Sequence, residues 1–586
     1  GAAGDVAGAL QTLPGTTTVG ESGRLFVRGG SADETQTYVD GLLVHQPYTR
    51  TPANTAVRGR FNPFIFSGTV FNTGGYSAEY GQALSSVLLL ETKGLELEDE
   101  WNLSLMTVGA DFAGTKVWEK ASVTATLGYI DLTPYMSVVP QNFEYERLPL
   151  ALNGSVSLRQ KTGKTGLMKV YGTFGATRYD IYNEAPGQEN PQRIDGGDDN
   201  GYVNASWRDV ISKKWSLKTG LAYSQNVEEV KVDETVITEH STGWHAKAVA
   251  THDLSEKVNL RIGLDQFLSE KKAVIKAEES VKSDFNLNRT GLFAETDFFI
   301  NSDLAFKAGA RVEHSPATTF TAESTTIVPR LTTALRTGND SQISAAYGSF
   351  YQDVNDGLLF GASDVKQEKA DHYILNYQYT TSKKVFRAEV YHKQYSDLAK
   401  YGGSAENFGL INSGSGYARG LDLWWRDRKS IKNGDYWVSY SYLDTERDYR
   451  DYPEAAMPGF AANHNLSLVY KHWIQKWRSQ VGGTMSYTSA RRYNDPNTTD
   501  FLAARIDPIK QVNLNWAYLH RENVIFYGAV SNVFGQRQEY GRQFATTPEN
   551  GVYASSPILP SARRFFFVGC FITWSKKDVN QLDKIQ

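Results

Sequence analysis

Most of the chain alternates between apolar and polar positions. In SVTATLGY, Val123, Ala125, Leu127 and Tyr129 fall on one face of an extended strand. Ser122, Thr124, Thr126 and Gly128 fall on the other. In VNLRIGLD, Val258, Leu260, Ile262 and Leu264 oppose Asn259, Arg261, Gly263 and Asp265. In WSLKTGLAY, Trp215, Leu217, Leu221 and Tyr223 share a face with Thr219. One face takes large apolar and aromatic side chains while the other carries Arg, Lys and Asp. A soluble sandwich also alternates but does not usually load its faces this way, so the apolar face is expected to meet lipid. Val123, Leu127, Leu260 and Ile262 are expected to touch acyl chains. Trp101, Trp215 and Trp574, near strand ends, suit an interfacial aromatic girdle.

The connections fall into two classes. Short polar turns are predicted at 119–121, 161–164, 212–214, 255–257, 301–303, 338–340, 382–384, 429–434, 475–477 and 521–523. Long connections are predicted at 131–146, 181–200, 268–286, 351–370, 444–463 and 535–562, among others. Short and long alternate, as in an outer-membrane barrel with tight inner turns and extended outer loops. Ten short turns and eleven outer connections predict 22 strands, the first near 101–110 and the last at 564–574. A lumen this wide must be filled, and residues 1–95 are the chain available. The predicted fold class is therefore all-β. A 22-stranded antiparallel transmembrane β-barrel spans 96–574, an N-terminal plug domain, 1–95, folds inside the lumen, and 575–586 is a C-terminal tail. No internal repeat of about 20–50 residues supports a propeller or solenoid.

Composition narrows the reading. The 586 residues include 33 tyrosines but only 5 methionines, and mean hydropathy is −0.43. No run of about 18 apolar residues exists, so no transmembrane helix is expected, whereas a barrel strand needs only about 9–11 residues. The net charge of −4 argues against nucleic acid. Cys570 is the only cysteine, which excludes an internal disulfide and a cysteine-based metal site. The ten histidines show no metal-ligand spacing, and His372, His392 and His464 are expected in the lumen or at an interface. No G-x-S-x-G, H-E-x-x-H or Walker A motif is present. No enzyme activity, cofactor or metal is expected. Gly1 opens no signal peptide.

The N-terminal part is punctuated differently. It carries Ala9-Leu10 with Leu13-Pro14-Gly15, then Phe26-Val27-Arg28-Gly29-Gly30, then Tyr38-Val39-Asp40-Gly41. Residues 74–93 follow as GGYSAEYGQALSSVLLLETK, which includes Tyr80 and Gly81. The later chain carries AGARVEH (308–314), VPRL (328–331), YARGLDLWW (417–425), NHNLSLVY (463–470), VSNVFG (530–535) and a final RRFFFVGCFITW. Together and in this order they resemble the plug and barrel motifs of TonB-dependent outer-membrane receptors, over nearly the whole chain. The Tyr-rich strands resemble Bacteroidetes members. Members begin with a short TonB-contacting segment and an initial plug strand. Neither stands ahead of the first motif here, so further material is expected to precede Gly1.

The resemblance implies a receptor in the outer membrane of a Gram-negative bacterium. It would import a scarce ligand, such as an iron chelate, cobalamin, a small glycan or a peptide, by energised movement of the plug. TonB of an inner-membrane complex would be its partner, with a lipoprotein lid or other outer-membrane proteins as further partners. A second reading keeps the fold but makes it a structural or assembly subunit of an outer-membrane complex, without transport.

The resemblance also implies sites. The segment LLVHQPYTRTPANTAVRGRF follows Gly41, where resembling receptors have an outward-facing plug loop. His45, Gln46, Tyr48, Arg50, Arg58 and Arg60 are its substrate-binding candidates. Arg clamps carboxylates or phosphates through paired hydrogen bonds, and Tyr stacks on rings. The alternative is a lumen loop bonded to the wall. Arg28 is costly to bury unpaired, so a wall carboxylate is expected beside it, with Glu295, Glu313 and Glu389 as candidates. In the family such pairs hold plug to wall. Pro14, Gly15, Gly29, Gly30, Asp40, Gly41, Tyr80 and Gly81 are expected to serve the plug's own geometry. The aromatics Tyr135, Tyr145, Tyr182, Tyr452 and Phe501 are expected on outer loops as first contacts or lids.

Overall fold

The computed structural model describes residues 5–49, 59–277, 280–359, 364–402 and 409–575. Among these, 22 strands close into one antiparallel barrel, from Glu100–Met106 to Phe565–Ser575. The last strand pairs with the first, placing Trp574 opposite Trp101. Closure satisfies the strand backbones without water, which permits insertion in lipid. The outward residues follow the alternation: Leu127, Leu221, Ile262 and Leu264 are exposed, as are Trp101, Trp215 and Trp574. The expected tail beyond Ser575 lies outside the described residues.

The tight turns of one barrel end fall on or beside the predicted positions. The other end differs from expectation. The predicted first strand, 101–110, is interrupted by a turn at 107–108, and the hairpin at 233–234 is equally tight. The predicted loop at 268–286 is mostly strand. Val258–Lys276 pairs with Ser280–Phe299 as far as Lys276 opposite Ser280. Much of 181–200 is likewise strand, with Gly166–Asn183 paired to Gln192–Val210. Beyond the lipid band both faces of a strand meet water. Its apolar stripe ends there, although the backbone ladder continues.

Strand heights are uneven. Ser280–Phe299 pairs with its predecessor along its whole length but with Leu304–Ser315 only over its lower half, from Thr290 to Phe299. Further round, pairing between Ser324–Arg336 and Ser341–Gln352 stops at Arg330 opposite Gly348. The next residue up is Pro329, which has no N–H to donate. The upper end of Ser341–Gln352 instead meets the lumen contents. Gln352 Oε1 accepts from Leu84 N at 3.1 Å, and Gln352 Nε2 donates to Asp33 O at 2.9 Å.

The plug fills the lumen. A short helix, Val6–Leu10, is capped by Asp5, whose carboxylate accepts from Ala7 N at 3.0 Å. A hairpin follows, Thr16–Val19 with Ser22–Val27. Then comes a four-stranded mixed sheet in the order Leu42–Leu43, Thr35–Val39, Ser86–Thr92, Phe66–Asn72. Its two central strands are parallel. Leu10, Leu25, Val27, Val39, Val44 and Leu90 form the plug core, which continues onto wall residues Tyr171, Tyr202 and Ala222.

Candidate functional site

The densest chemistry in the molecule lies where plug meets wall. Arg28 leaves the second plug strand with φ +49, a left-handed turn that aims its guanidinium outward. Its Nη2 pairs with Glu389, and its Nε donates to Asp422 Oδ2 at 2.8 Å. Nη1 donates to Thr73 O at 3.1 Å, and the guanidinium lies 4.3 Å from the Tyr391 ring centre. Burial works against its charge, but Glu389 and Asp422 outweigh burial and raise its pKa. Of the three expected partners, only Glu389 pairs with Arg28. Glu295 instead accepts from Ser77 Oγ and Ala78 N, both at 3.0 Å. Glu313 accepts from Gln82 Nε2 at 2.7 Å and from Arg311. Both still hold the plug, through neutral plug groups, from the strands Ser280–Phe299 and Leu304–Ser315, whereas Arg28 faces Lys384–Gly402 and Gly409–Asp427.

A second lock centres on Glu34. Arg447 Nη1 donates to Glu34 Oε1 at 2.6 Å, and Ser85 Oγ donates to Oε2 at 2.6 Å. The Tyr395 hydroxyl donates to the same oxygen at 3.2 Å. Arg447 also reaches Gly29 O at 2.7 Å and stacks 4.0 Å from the Tyr395 ring centre. Lys393 donates to Ser85 Oγ at 3.0 Å. Burial pushes the Glu34 carboxyl up, but Arg447 and then Lys393 outweigh it and hold the pKa at about 2. Gly30 is required here, because a Cβ would fall 1.9 Å from Ser85 Oγ.

Similar contacts continue round the wall. Lys169 donates to Asp40 at 3.2 Å, Glu91 at 2.8 Å and Thr92 O at 2.6 Å. Lys247 pairs with Glu79 at 3.2 Å and sits 4.4 Å from the Tyr80 ring centre. His245 Nδ1 accepts from Leu43 N at 2.9 Å, and His372 Nε2 donates to Leu84 O at 2.8 Å. Gly15 N donates to Ser441 Oγ at 2.7 Å, beside the buried Pro14. At Gly81 a Cβ would fall 2.2 Å from Glu313 Oε1. Gly41, with φ +86, turns the chain after Asp40, whose carboxylate accepts from Thr92 N at 3.0 Å.

The wall partners Asp422, Arg447, Lys393, Lys247 and Lys169 were not singled out by the sequence reading. They share one signal, a charge on the face opposite the lipid stripe. In VFRAEVYHKQY, Arg387, Glu389, Tyr391, Lys393 and Tyr395 have the same parity, while Val390 points to lipid.

The loop after Gly41 does not gather all its candidates on one surface. Tyr48 is buried in the plug core beneath Arg24, and burial raises its pKa to about 12. This excludes it from an exposed ligand surface. His45 N donates to Ser224 Oγ at 3.4 Å, and its ring is 6.1 Å from Phe267. Gln46 O accepts from Arg60 Nη1. Arg60 Nε and Nη2 find no hydrogen-bond partner among the described residues. Burial lowers its pKa to about 10, with Asp198 offsetting part of the effect. Arg50 and Arg58 lie outside the described residues. Among the outer aromatics, Tyr135 packs back on Phe565 at 5.0 Å and accepts from Phe566 N, so it braces the last strand and is not a lid. Tyr452 meets Tyr449 and Phe501 edge to face, with ring centres 4.9 Å apart in each pair. The connection after Asp448 turns inward, placing Phe460 5.5 Å from the plug's Phe26 and Met457 in a cluster with Leu84.

Known proteins match this arrangement. The family described as "TonB-dependent Receptor Plug Domain" matches residues 1–87, and "TonB dependent receptor-like, beta-barrel" matches 268–533. No curated protein sequence matches the chain. Its fold is similar to the FrpB iron transporter from Neisseria meningitidis, with TM-score 0.76, 13% identity, and coverage of 98% of this chain and 97% of that one. It is also similar to the siderophore receptor PiuA from Acinetobacter baumannii, with TM-score 0.74, 12% identity, and coverage of 97% and 94%. The ferric yersiniabactin uptake receptor FyuA from Yersinia pestis gives TM-score 0.74, 12% identity, and coverage of 97% and 95%. A plug held by buried charges inside a closed 22-stranded barrel, with both domains matched in order, places this chain in the family of TonB-dependent outer-membrane receptors.

Proposed function

We propose that the chain imports a scarce ligand through TonB-driven displacement of the plug. The observation that carries this is the lock itself. Arg28, Glu34, Asp40 and Glu79 are charged plug groups buried against charged wall groups, so plug and wall part only when work is done on them. A barrel has no energy source of its own, so the work comes from a partner. Among the ligand classes considered, an iron chelate is the first to test, because similar receptors are named for iron or siderophores. Cobalamin, a small glycan and a peptide follow. Arg60 is the residue proposed to grip an anionic group of the ligand, since two of its nitrogens are buried without a described partner and come within a ligand's reach only once the plug shifts. His45 and Gln46 flank it.

The test is uptake of labelled iron chelates, cobalamin, glycans and peptides in cells with and without TonB. Uptake that needs TonB is the expected result. A labelled ligand that enters equally without TonB overturns the proposal. No uptake of any class would favour the structural-subunit reading.

A further inference from the structure

The plug is not held evenly round the barrel. Every strand from Glu144–Thr162 round to His464–Ile474 reaches it with at least one hydrogen bond or ion pair. The series starts at Arg159, whose Nε donates to Lys93 O at 3.3 Å. It ends at Asn465, whose Nδ2 donates to Thr17 Oγ1 at 3.2 Å. Three strands that lie side by side near the closure of the barrel depart from it: Ile509–Arg521, Val524–Ser531 and Phe565–Ser575. Among the described residues, no hydrogen bond or ion pair joins these three to the plug.

The chemistry of this sector differs as well. Leu514 and Phe566 are exposed to lipid and share a row with Val530, so the next row, Asn515, Ala529 and Phe567, faces the lumen. The lumen-facing positions from Gln511 to Leu519, from Ile525 to Ser531 and from Phe565 to Thr573 carry no charge. Gln511, Asn513, Asn515, Tyr527 and Ser531 are only partly buried, so the plug does not seal them. The connection between the second and third of these strands roofs the sector. It meets the tip of the plug hairpin, where Tyr540 packs on Gly20 and Ser561 Oγ donates to Glu21 Oε2 at 3.0 Å. That tip precedes Arg28 in the chain, so a pull from the N-terminus draws it from under the roof before the Arg28 lock is loaded.

We infer that the plug parts from the wall first along these three strands, and that the ligand passes there. The inference rests on import by plug displacement and adds its route. Elsewhere, parting strands a buried charge on the wall without its partner, which is costly. Here it exposes amides, hydroxyls and aromatic rings, which water or a ligand satisfies at once. A neutral wall also lets a charged ligand go. Lys, Arg and Glu side chains deprived of their plug partners would hold it. Asn513, Asn515 and Tyr527 are the residues assigned to line the passage.

The test uses the full chain in a planar lipid bilayer, in a Cys570→Ser background. Urea is raised until ion current appears, and a charged methanethiosulfonate is added. Asn515→Cys is expected to lose most of that current. Ala222→Cys, on the fastened wall against the plug core, is expected to lose none. Equal loss in both, or current untouched in Asn515→Cys, overturns the inference. Loss in Ser344→Cys alone also overturns it, and moves the passage to the cavity of about 220 Å³ beside Glu389. Absence of current until the barrel itself unfolds overturns it too. Neither TonB nor a ligand takes part, so each of these failures leaves the import reading standing. Uptake that does not need TonB overturns import and leaves this measurement unchanged.

Discussion

A carboxylate sealed inside a protein stays charged only if its partners are sealed in with it. Glu34 meets that condition through Arg447, Ser85 and Tyr395. Glu34→Gln leaves Arg447 and Lys393 buried without their counter-charge and is expected to weaken plug docking by about 3–5 kcal/mol. The denaturant concentration at which the plug becomes protease-sensitive reads this directly. Acid should act on the same group. The folded pKa of about 2 lies below the unfolded value of about 4.3. The contribution of Glu34 is thus complete above about pH 4.3 and fades as pH falls through 2. The Gln variant should lack that part of the acid dependence. At this scale the sequence was half legible. Arg28 stood out because its motif puts a charge in a glycine-flanked plug turn. Its second partner, Asp422, did not, because an inward charge on a wall strand says nothing about which plug atom it faces. Tyr48 was misplaced for a related reason, since a tyrosine serves a core as readily as a binding surface.

At the scale of elements, the turns and the lipid-facing stripe were legible because bilayer physics imposes a period of two. That constraint ends with the bilayer, which is why the upper halves of Val258–Lys276 and Ser280–Phe299 read as loop. Strand Trp215–Val232 crosses the boundary and allows a direct test. Leu221 and Glu229 point outward on it and are both exposed. Leu221→Arg is expected to cost about 2–4 kcal/mol, whereas Glu229→Arg should cost about 0–1 kcal/mol. Reversible unfolding from bilayers measures both. Equal costs would mean that the lipid band reaches much higher than the apolar stripe.

For the whole molecule, the width of the barrel made a plug necessary, and the glycine-punctuated N-terminal part identified the chain that supplies it. The mixed plug sheet was less legible. Its parallel pair, Thr35–Val39 with Ser86–Thr92, joins segments far apart in sequence, and no local pattern encodes that pairing. The charged contacts likewise form only when plug and wall come together. Neither part alone shows its partner.

The order of those contacts along the plug has a mechanical meaning. Gly15 is held by Ser441, Arg28 by Glu389 and Asp422, Glu34 by Arg447, Asp40 by Lys169, Leu43 by His245 and Glu79 by Lys247. A rope hauled from its N-terminal end would load these fastenings in succession, much as tape peels. The motor then never opposes their combined strength, only the next knot. From Gly15 to Glu34 the slack released is about 65 Å of extended chain, so the stroke length sets how wide the passage opens. Single-molecule traction on the N-terminus should record stepwise ruptures in this sequence. One abrupt rupture would mean that the fastenings share the tension.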